Sequence, residues 1–153
     1  MPSPLYLLDT NVILHLVRGN DLGKHLVSNF GLMNAVSRPL VSVVTHGELY
    51  VLADRNRWGS SKLAALKTTL DNLVTIDLND ESIIKAYVDV QRFSRLAPGG
   101  SRELQANDAW IVACAKAAAA TLITTDQDFQ HLKLPAWPVH FVNPDSYLHK
   151  DTP

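Results

Sequence analysis

The chain has 153 residues, 46% of them hydrophobic and 19% charged, enough apolar material to bury one core of ordinary size, and a second domain is not expected. Its 14 Lys and Arg stand against 15 Asp and Glu, a formal charge of -1, so no global basic field draws it to polyanions and nucleic-acid contact would need a local patch. Cys114 is the only cysteine, which excludes an internal disulfide framework or thiolate zinc cage and fits a reduced, cytosolic setting.

The chain opens with "LYLL", a short run apolar on every residue, which predicts a strand buried on both faces. The polar residues Asp9, Thr10 and Asn11 then turn it into a helix that stops at Gly19-Asn20. No basic leader precedes this stretch, Asp9 breaks it early, and no later run is long enough to cross a bilayer, so a soluble protein with one domain over residues 1–153 is expected. Asp21 to Met33 carries Leu22, Leu26, Val27 and Phe30 at helical spacing. After Pro39, "LVSVV" predicts a second strand, and the helix "THGELYVLADRN" is expected to start at Thr45.

Ser60 or Ser61 can cap the helix "KLAALKTTLDNL", which leads to a third strand, "VTIDL". Asn79 or Asp80 can cap "ESIIKAYVDVQRFSRL", a helix that should end before Pro98. The polar loop "APGGSRELQA" follows, and Asn107-Asp108 opens the alanine-rich helix "AWIVACAKAAAA". "TLITT" reads as a fourth strand ending at "DQDF", and "VHFVNP" as a fifth. Nearly continuous apolar strands alternating with helices predict an α/β fold, with a central parallel sheet of four to five strands covered by helices on both faces.

In this scheme the acids fall at the ends of elements. Asp9 closes the first strand, Glu48 lies in the first turn of the helix after the second, Asp108 starts the alanine-rich helix and Asp126 closes the fourth strand. Ligands of open parallel sheets bind outside the carboxyl ends of the strands, so these groups are expected to face one edge. Carboxylates gathered in one cleft repel each other unless a cation sits among them. Oxygen ligands without Cys, or a His pair at ligand spacing, point to Mg²⁺ or Mn²⁺ rather than Zn²⁺.

Each acid also has a purely structural explanation. Asp9 can cap the first helix, as can Thr10 or Asn11. Thr45 and Glu48 have capping-box spacing, Asn107 can cap with Asp108 as a favourable charge on the helix dipole, and Asp126 and Asp128 can be turn residues. These explanations are not exclusive of a shared site, and their recurrence at one sheet edge is what favours one.

In order, "LLDTNVIL", "VVTHGEL", "NDAWIVACA" and "LITTDQDF" resemble the four acidic motifs of PIN-domain ribonucleases, and the compact length is similar to that of VapC-type toxins of toxin–antitoxin pairs. Any one motif is weak; the ordered set, from Leu5 to Phe129, is specific. The resemblance implies a PIN-like three-layer sandwich, a catalytic cluster of Asp9, Glu48, Asp108 and Asp126, and Mg²⁺ or Mn²⁺ held by Asp9, Asp108 and Asp126. It makes Thr10, Asn11 and Thr125 polar companions that orient carboxylates, with Asp128 an additional acid and Glu48 able to act through a water. The implied chemistry is hydrolysis of RNA phosphodiesters, leaving a 5′-phosphate and a 3′-hydroxyl. The implied partners are an RNA substrate, a VapB-like antitoxin and a second copy of the chain.

For RNA contact, Arg92, Arg95 and Arg102 bracket the loop before Asp108, and Arg55, Arg57 and Trp58 follow the helix of Glu48. Trp110 reads as core, His46 as a surface histidine and Cys114 as a small buried hydrophobe with no basic neighbour to activate it. An aspartyl-phosphate phosphatase is disfavoured because Asn11 stands where its second Asp belongs, and "PGGSRE" lacks the Lys-Ser/Thr of a phosphate-binding loop. The remaining alternatives are a PIN-like module that only binds RNA or protein, and a PIN nuclease of RNA processing; the presence of all the motif acids argues against the first.

Overall fold

In the computed structural model, which describes residues 4–33, 38–97 and 103–148, the apolar runs become strands of three or four residues. They are β1 (Tyr6–Leu8), β2 (Leu40–Ser42), β3 (Val74–Ile76), β4 (Thr121–Thr124) and β5 (Val139–Phe141). Between them lie α1 (Thr10–Arg18), α2 (Asp21–Phe30), α3 (Val43–Arg55), α4 (Ser60–Asp71), α5 (Glu81–Leu96) and α6 (Ala106–Ala117). A 3₁₀ turn (Gln127–Phe129) follows β4, and α7 (Asp145–Leu148) follows β5.

All strand pairs are parallel, in the order β3-β2-β1-β4-β5. Parallel neighbours need crossovers, and the helices supplying them cover both faces. Side chains alternate across the sheet accordingly. Leu7, Leu40, Leu122 and Val139 pack on one side in the core with α5 and α6. Leu8, Val41 and Ile123, each the next residue along its strand, pack on the other with α1 to α4. The outcome is the three-layer α/β sandwich that the sequence pattern predicts.

Element boundaries differ from expectation where capping chemistry decides them. The second strand stops at Ser42 rather than running through Val44, because the Ser42 hydroxyl accepts the Val44 N–H at 3.2 Å and starts α3 there. Thr45 is therefore inside the helix and the predicted capping box does not form. The helix expected over Asp21 to Met33 ends at Phe30, where Gly31 adopts φ 62°. Gly59, not Ser60 or Ser61, caps α4, whereas Asp80 caps α5 as one of the two expected residues. The alanine-rich helix begins at Ala106 after Gln105, one residue before Asn107, and ends at Ala117. β3 is more exposed than a doubly covered strand, since it forms one edge of the sheet and leaves Val74 open to solvent.

Candidate active site

The sheet order places the topological switch between β1 and β4: crossovers from β1 lead outward to β2 and β3, whereas β4 and β5 lie on its other side. A crevice opens at such a point outside the carboxyl ends of the strands. Asp9 follows β1 there, its amide extending the ladder to the Ile123 carbonyl at 3.0 Å. Asp126 leaves the same edge two residues after β4 ends, Asp108 enters from the first turn of α6, and Glu48 enters from the second turn of α3 rather than the expected first, because α3 starts at Val43.

Both oxygens of the buried Asp9 carboxylate are occupied. Oδ1 accepts the Thr10 N–H at 2.8 Å and Oδ2 accepts the Thr124 hydroxyl at 2.7 Å. Asp9 therefore does cap α1, and the capping oxygen belongs to a group tied to β4 as well. Thr124 Oγ1 also accepts the Asp126 amide at 3.0 Å, and Asp126 Oδ1 in turn accepts the Asp128 amide at 2.9 Å. On the other flank the Thr10 hydroxyl donates to Glu48 Oε1 at 2.8 Å. It lies 3.1 Å from the Thr45 hydroxyl. A hydroxyl has one proton to give, so with Thr10 donating to Glu48 the fully buried Thr45 must be the donor to Thr10.

Carboxylate oxygens of Asp108, Asp126 and Asp128 all lie within 4.8 Å of one another, a spacing from which one cation can be shared. Burial, and after it crowding, shows in the acidities. Burial pushes the Asp9 carboxyl up to about 6 against the opposing hydrogen bonds from Thr124 and Thr10, with the Asp126 and Glu48 charges adding to the rise. Asp108 is raised to about 7, by burial first and then by the charges of Asp9, Asp126, Glu48 and Asp128. For Asp9, a rise from 3.8 to about 6 corresponds to about 3 kcal/mol against the ionised form. That is the contribution of roughly one fully buried Leu, and the fold carries it at a sheet edge where a positive charge would relieve it.

The structure thus gathers Asp9, Glu48, Asp108, Asp126 and Asp128 around one crevice. Asp128, rather than Asp9, completes the tightest carboxylate triplet among the described residues. Thr10 lies in the network, Asn11 is exposed and outside it, and the hydroxyl that reaches Asp9 is that of Thr124, the neighbour of Thr125. Thr124 and Thr45 were not legible as site residues. For Thr124 the available signal was a hydroxyl two residues before a carboxylate, placed to accept that residue's N–H.

Val43, Gly47, Glu48, Val51, Arg55 and Asn107 line a groove, so Arg55 shares it with Glu48. Arg92 and Arg95 are exposed on α5, with Arg92 4.0 Å from Asp89; Arg102 lies outside the described residues. Trp58 is half-buried against the α1–α4 core with Lys62 Nζ 4.1 Å over its ring. Trp110 stacks on Tyr87 at 3.9 Å, His46 Nε2 pairs with Thr75 Oγ1 at 2.9 Å, and Cys114 is buried with its thiol raised chiefly by that burial.

The PIN-domain family profile matches residues 6–134. The chain belongs to the PIN-domain family. No curated protein matches it by sequence. Among solved structures, this PIN domain is similar to a chain of VapBC2 from Rickettsia felis bound to a promoter DNA fragment, at 20% identity and TM-score 0.72 over 90% of this chain and 98% of that one. A chain of VapBC-1 from nontypeable Haemophilus influenzae matches at 22% identity and TM-score 0.69, over 90% and 97% of the two chains. A chain of VapBC-5, a toxin–antitoxin member from Mycobacterium tuberculosis, matches at 26% identity and TM-score 0.59, over 92% and 98%. Membership of a nuclease family and an acidic cluster at the sheet edge agree. Among the described residues no helix is long and apolar enough to cross a membrane.

Proposed function

We propose that this PIN domain is a divalent-cation-dependent endoribonuclease, the toxin of a cytoplasmic toxin–antitoxin pair. The observation that carries the nuclease reading is the convergence of Asp9, Glu48, Asp108, Asp126 and Asp128, with Asp9 and Asp108 raised to about 6 and about 7 by burial first and by their acidic neighbours second. An all-oxygen donor set under that repulsion fits a hard cation, Mg²⁺ or Mn²⁺. Asp108, Asp126 and Asp128 would hold it, with Asp9 behind them. When bound, such a cation activates water and neutralises charge building on a phosphate in hydrolysis.

The protein's own groups do the positioning. Thr124 and the Thr10 amide fix both oxygens of Asp9, and the Thr10 hydroxyl fixes one oxygen of Glu48, leaving Oε2 to orient a water. A single RNA strand lying in the groove beside Glu48 would bring its phosphates toward Arg55, while Arg92 and Arg95 offer weaker, exposed charges. The toxin reading is supported by the near full-length likeness to chains of VapBC complexes, which also supports a VapB-like antitoxin as partner. A homodimer is part of the same proposal.

The test is cleavage of generic single-stranded RNA with Mg²⁺ or Mn²⁺, with and without EDTA, by the parent, Asp9→Asn and Asp108→Asn. Cutting is expected only in the parent with cation. Parent-level cutting by both variants would reject the site, and an inert parent on RNA that nevertheless binds it would favour the binding-module alternative. A short reading frame beside the gene, encoding a DNA-binding protein that blocks cutting when co-purified, would separate a toxin from an RNA-processing nuclease.

A further inference from the structure

The acids of the triplet sit on two segments that have no strand or helix in common: Asp108 at the start of α6, and Asp126 and Asp128 in and beside the 3₁₀ turn. Something must set the distance between them. α5 contributes no carboxylate to the triplet, yet its C-terminal half touches both segments. Gln91 Nε2 donates to the Leu104 carbonyl at 3.3 Å, and the Leu104 N–H donates to Ser94 Oγ at 3.2 Å. Gln91 and Ser94 are one helical turn apart. Both backbone polar groups of Leu104, four residues before Asp108, are therefore gripped by one face of α5.

The second grip runs through His131. His131 follows Asp128 by three residues, just past the 3₁₀ turn, and its Nε2 lies 2.9 Å from Ser94 Oγ. Hydroxyl and imidazole are thus hydrogen-bonded to each other, and the same Ser94 Oγ accepts the Leu104 N–H. Ser94 is fully buried, and Phe129, next to Asp128, is buried as well. The hydroxyl of Ser94 is thus a single point to which the approach to Asp108 and the turn bearing Asp128 are both fastened.

We propose that Ser94 and His131 are positioning residues of this PIN domain: together they set the separation of the Asp108 and Asp128 carboxylates, and hence how tightly the triplet holds a divalent cation. The inference rests on the proposed reading of the triplet as a cation site. Outer partners of this kind orient ligands without touching the ion, and losing one typically weakens metal affinity by about 10–100-fold.

The experiment is calorimetric titration of the full chain with Mn²⁺, at one pH and at a temperature well below the melting point of every variant. Ser94→Ala and His131→Phe are each expected to raise the Mn²⁺ Kd by about tenfold. The double variant should be no weaker than either single one, since each breaks the same linkage. His131→Gln, which keeps one donor and one acceptor, should bind nearly as the parent. If Ser94→Ala fails to fold, the half-buried His131 carries the comparison alone. Parent-like Mn²⁺ affinity in His131→Phe, with only a lowered melting temperature, would overturn the positioning role. Asp108→Asn and Asp128→Asn run alongside; if these also bind Mn²⁺ as the parent does, it is the cation site itself that is wrong.

Discussion

Thr124 hands its hydroxyl proton to Asp9 Oδ2 across 2.7 Å, joining the ends of β4 and β1 at the point where the sheet order reverses. Because the same oxygen accepts the Asp126 amide, one small side chain aligns two of the motif acids. The two residues before it in β4, Leu122 and Ile123, face opposite cores. A hydroxyl at the next position is a buried polar group, and it is tolerated because its donor and its acceptor are both used.

Replacing Thr124 by Val should therefore cost more than the shape change implies. The hydrogen bond to a buried carboxylate contributes about 1.5–3 kcal/mol, and the Asp126 amide is orphaned as well. For a chain of this size a loss near 2 kcal/mol lowers Tm by roughly 4–8 °C. RNA cleavage should fall with it, while Thr124→Ser keeps both. Thermal melts and cleavage rates of the two variants measured together are the check; a Val variant that melts and cuts like the parent would refute it.

The raised carboxyls set a pH dependence whose sign can be worked out. Asp9 and Asp108 have folded-state values of about 6 and about 7 against 3.8 for the unfolded chain. Between roughly pH 4 and pH 7 the folded protein holds more protons than the unfolded chain, so these two groups erode stability as pH rises through that window. The lowered imidazoles of His15, His46 and His131 work in the opposite direction up to their unfolded value of 6.5. Comparison with and without cation isolates the acids: the Tm gain from Mn²⁺ over EDTA should be larger at pH 8 than at pH 5. Asp108→Asn in EDTA should melt higher than the parent at pH 8, by roughly 3 °C once solvent screening reduces the effect to about 1 kcal/mol, and show no gain at pH 4.

Thr10 offers a separation between site and scaffold. Its amide caps through Asp9, but its hydroxyl serves Glu48. Thr10→Val leaves the amide in place, so α1 should remain formed. The half-buried Glu48 loses a fixed donor, and the Thr45 hydroxyl loses its acceptor. Stability should drop by about 1–2 kcal/mol and cleavage by more than that alone explains. Thr10→Ser should recover both, and urea melts beside initial cleavage rates decide the matter.

The architecture was readable because apolar strands buried on two faces leave a continuous signal, and Asp9, Asp108 and Asp126 were readable because each interrupts or ends such a run. What escaped shares a cause. Ser42 ends β2 by capping α3, a choice between strand and helix made by one hydrogen bond inside the apolar run "LVSVV". That Thr124 faces Asp9 is decided by strand register, which composition does not reveal. Thr45 and Glu48 have capping-box spacing, but the helix starts earlier, so both side chains pair with Thr10 instead. Asn11 has the right chemistry and the wrong face of α1.

Gly23 illustrates the same dependence on tertiary context and gives a prediction about the fold. In α2 a glycine should be a liability, and replacing it by Ala ordinarily gains about 0.8–1 kcal/mol of helix propensity. Here a Cβ would run into the His15 carbonyl oxygen of α1, with the carbonyl carbon at 2.8 Å and Asn20 Oδ1 at 3.3 Å. Asn20 is the cap of α2, accepting the Gly23 N–H at 2.9 Å while its amide lies 3.0 Å from His15 Nδ1. The contact is with backbone, which cannot rotate away, so α1 and α2 would have to separate and the cap would go with them. Gly23→Ala should destabilise by about 2 kcal/mol net, since an overpacking cost of up to about 3 exceeds the propensity gain. Gly47 in α3 has nothing within 4 Å of its added Cβ, so Gly47→Ala should be stabilising by up to about 1 kcal/mol. The same substitution in two helices is thus expected to move Tm in opposite directions, and melts of the two variants that shift the same way would show that the close approach of α1 to α2 does not govern Gly23.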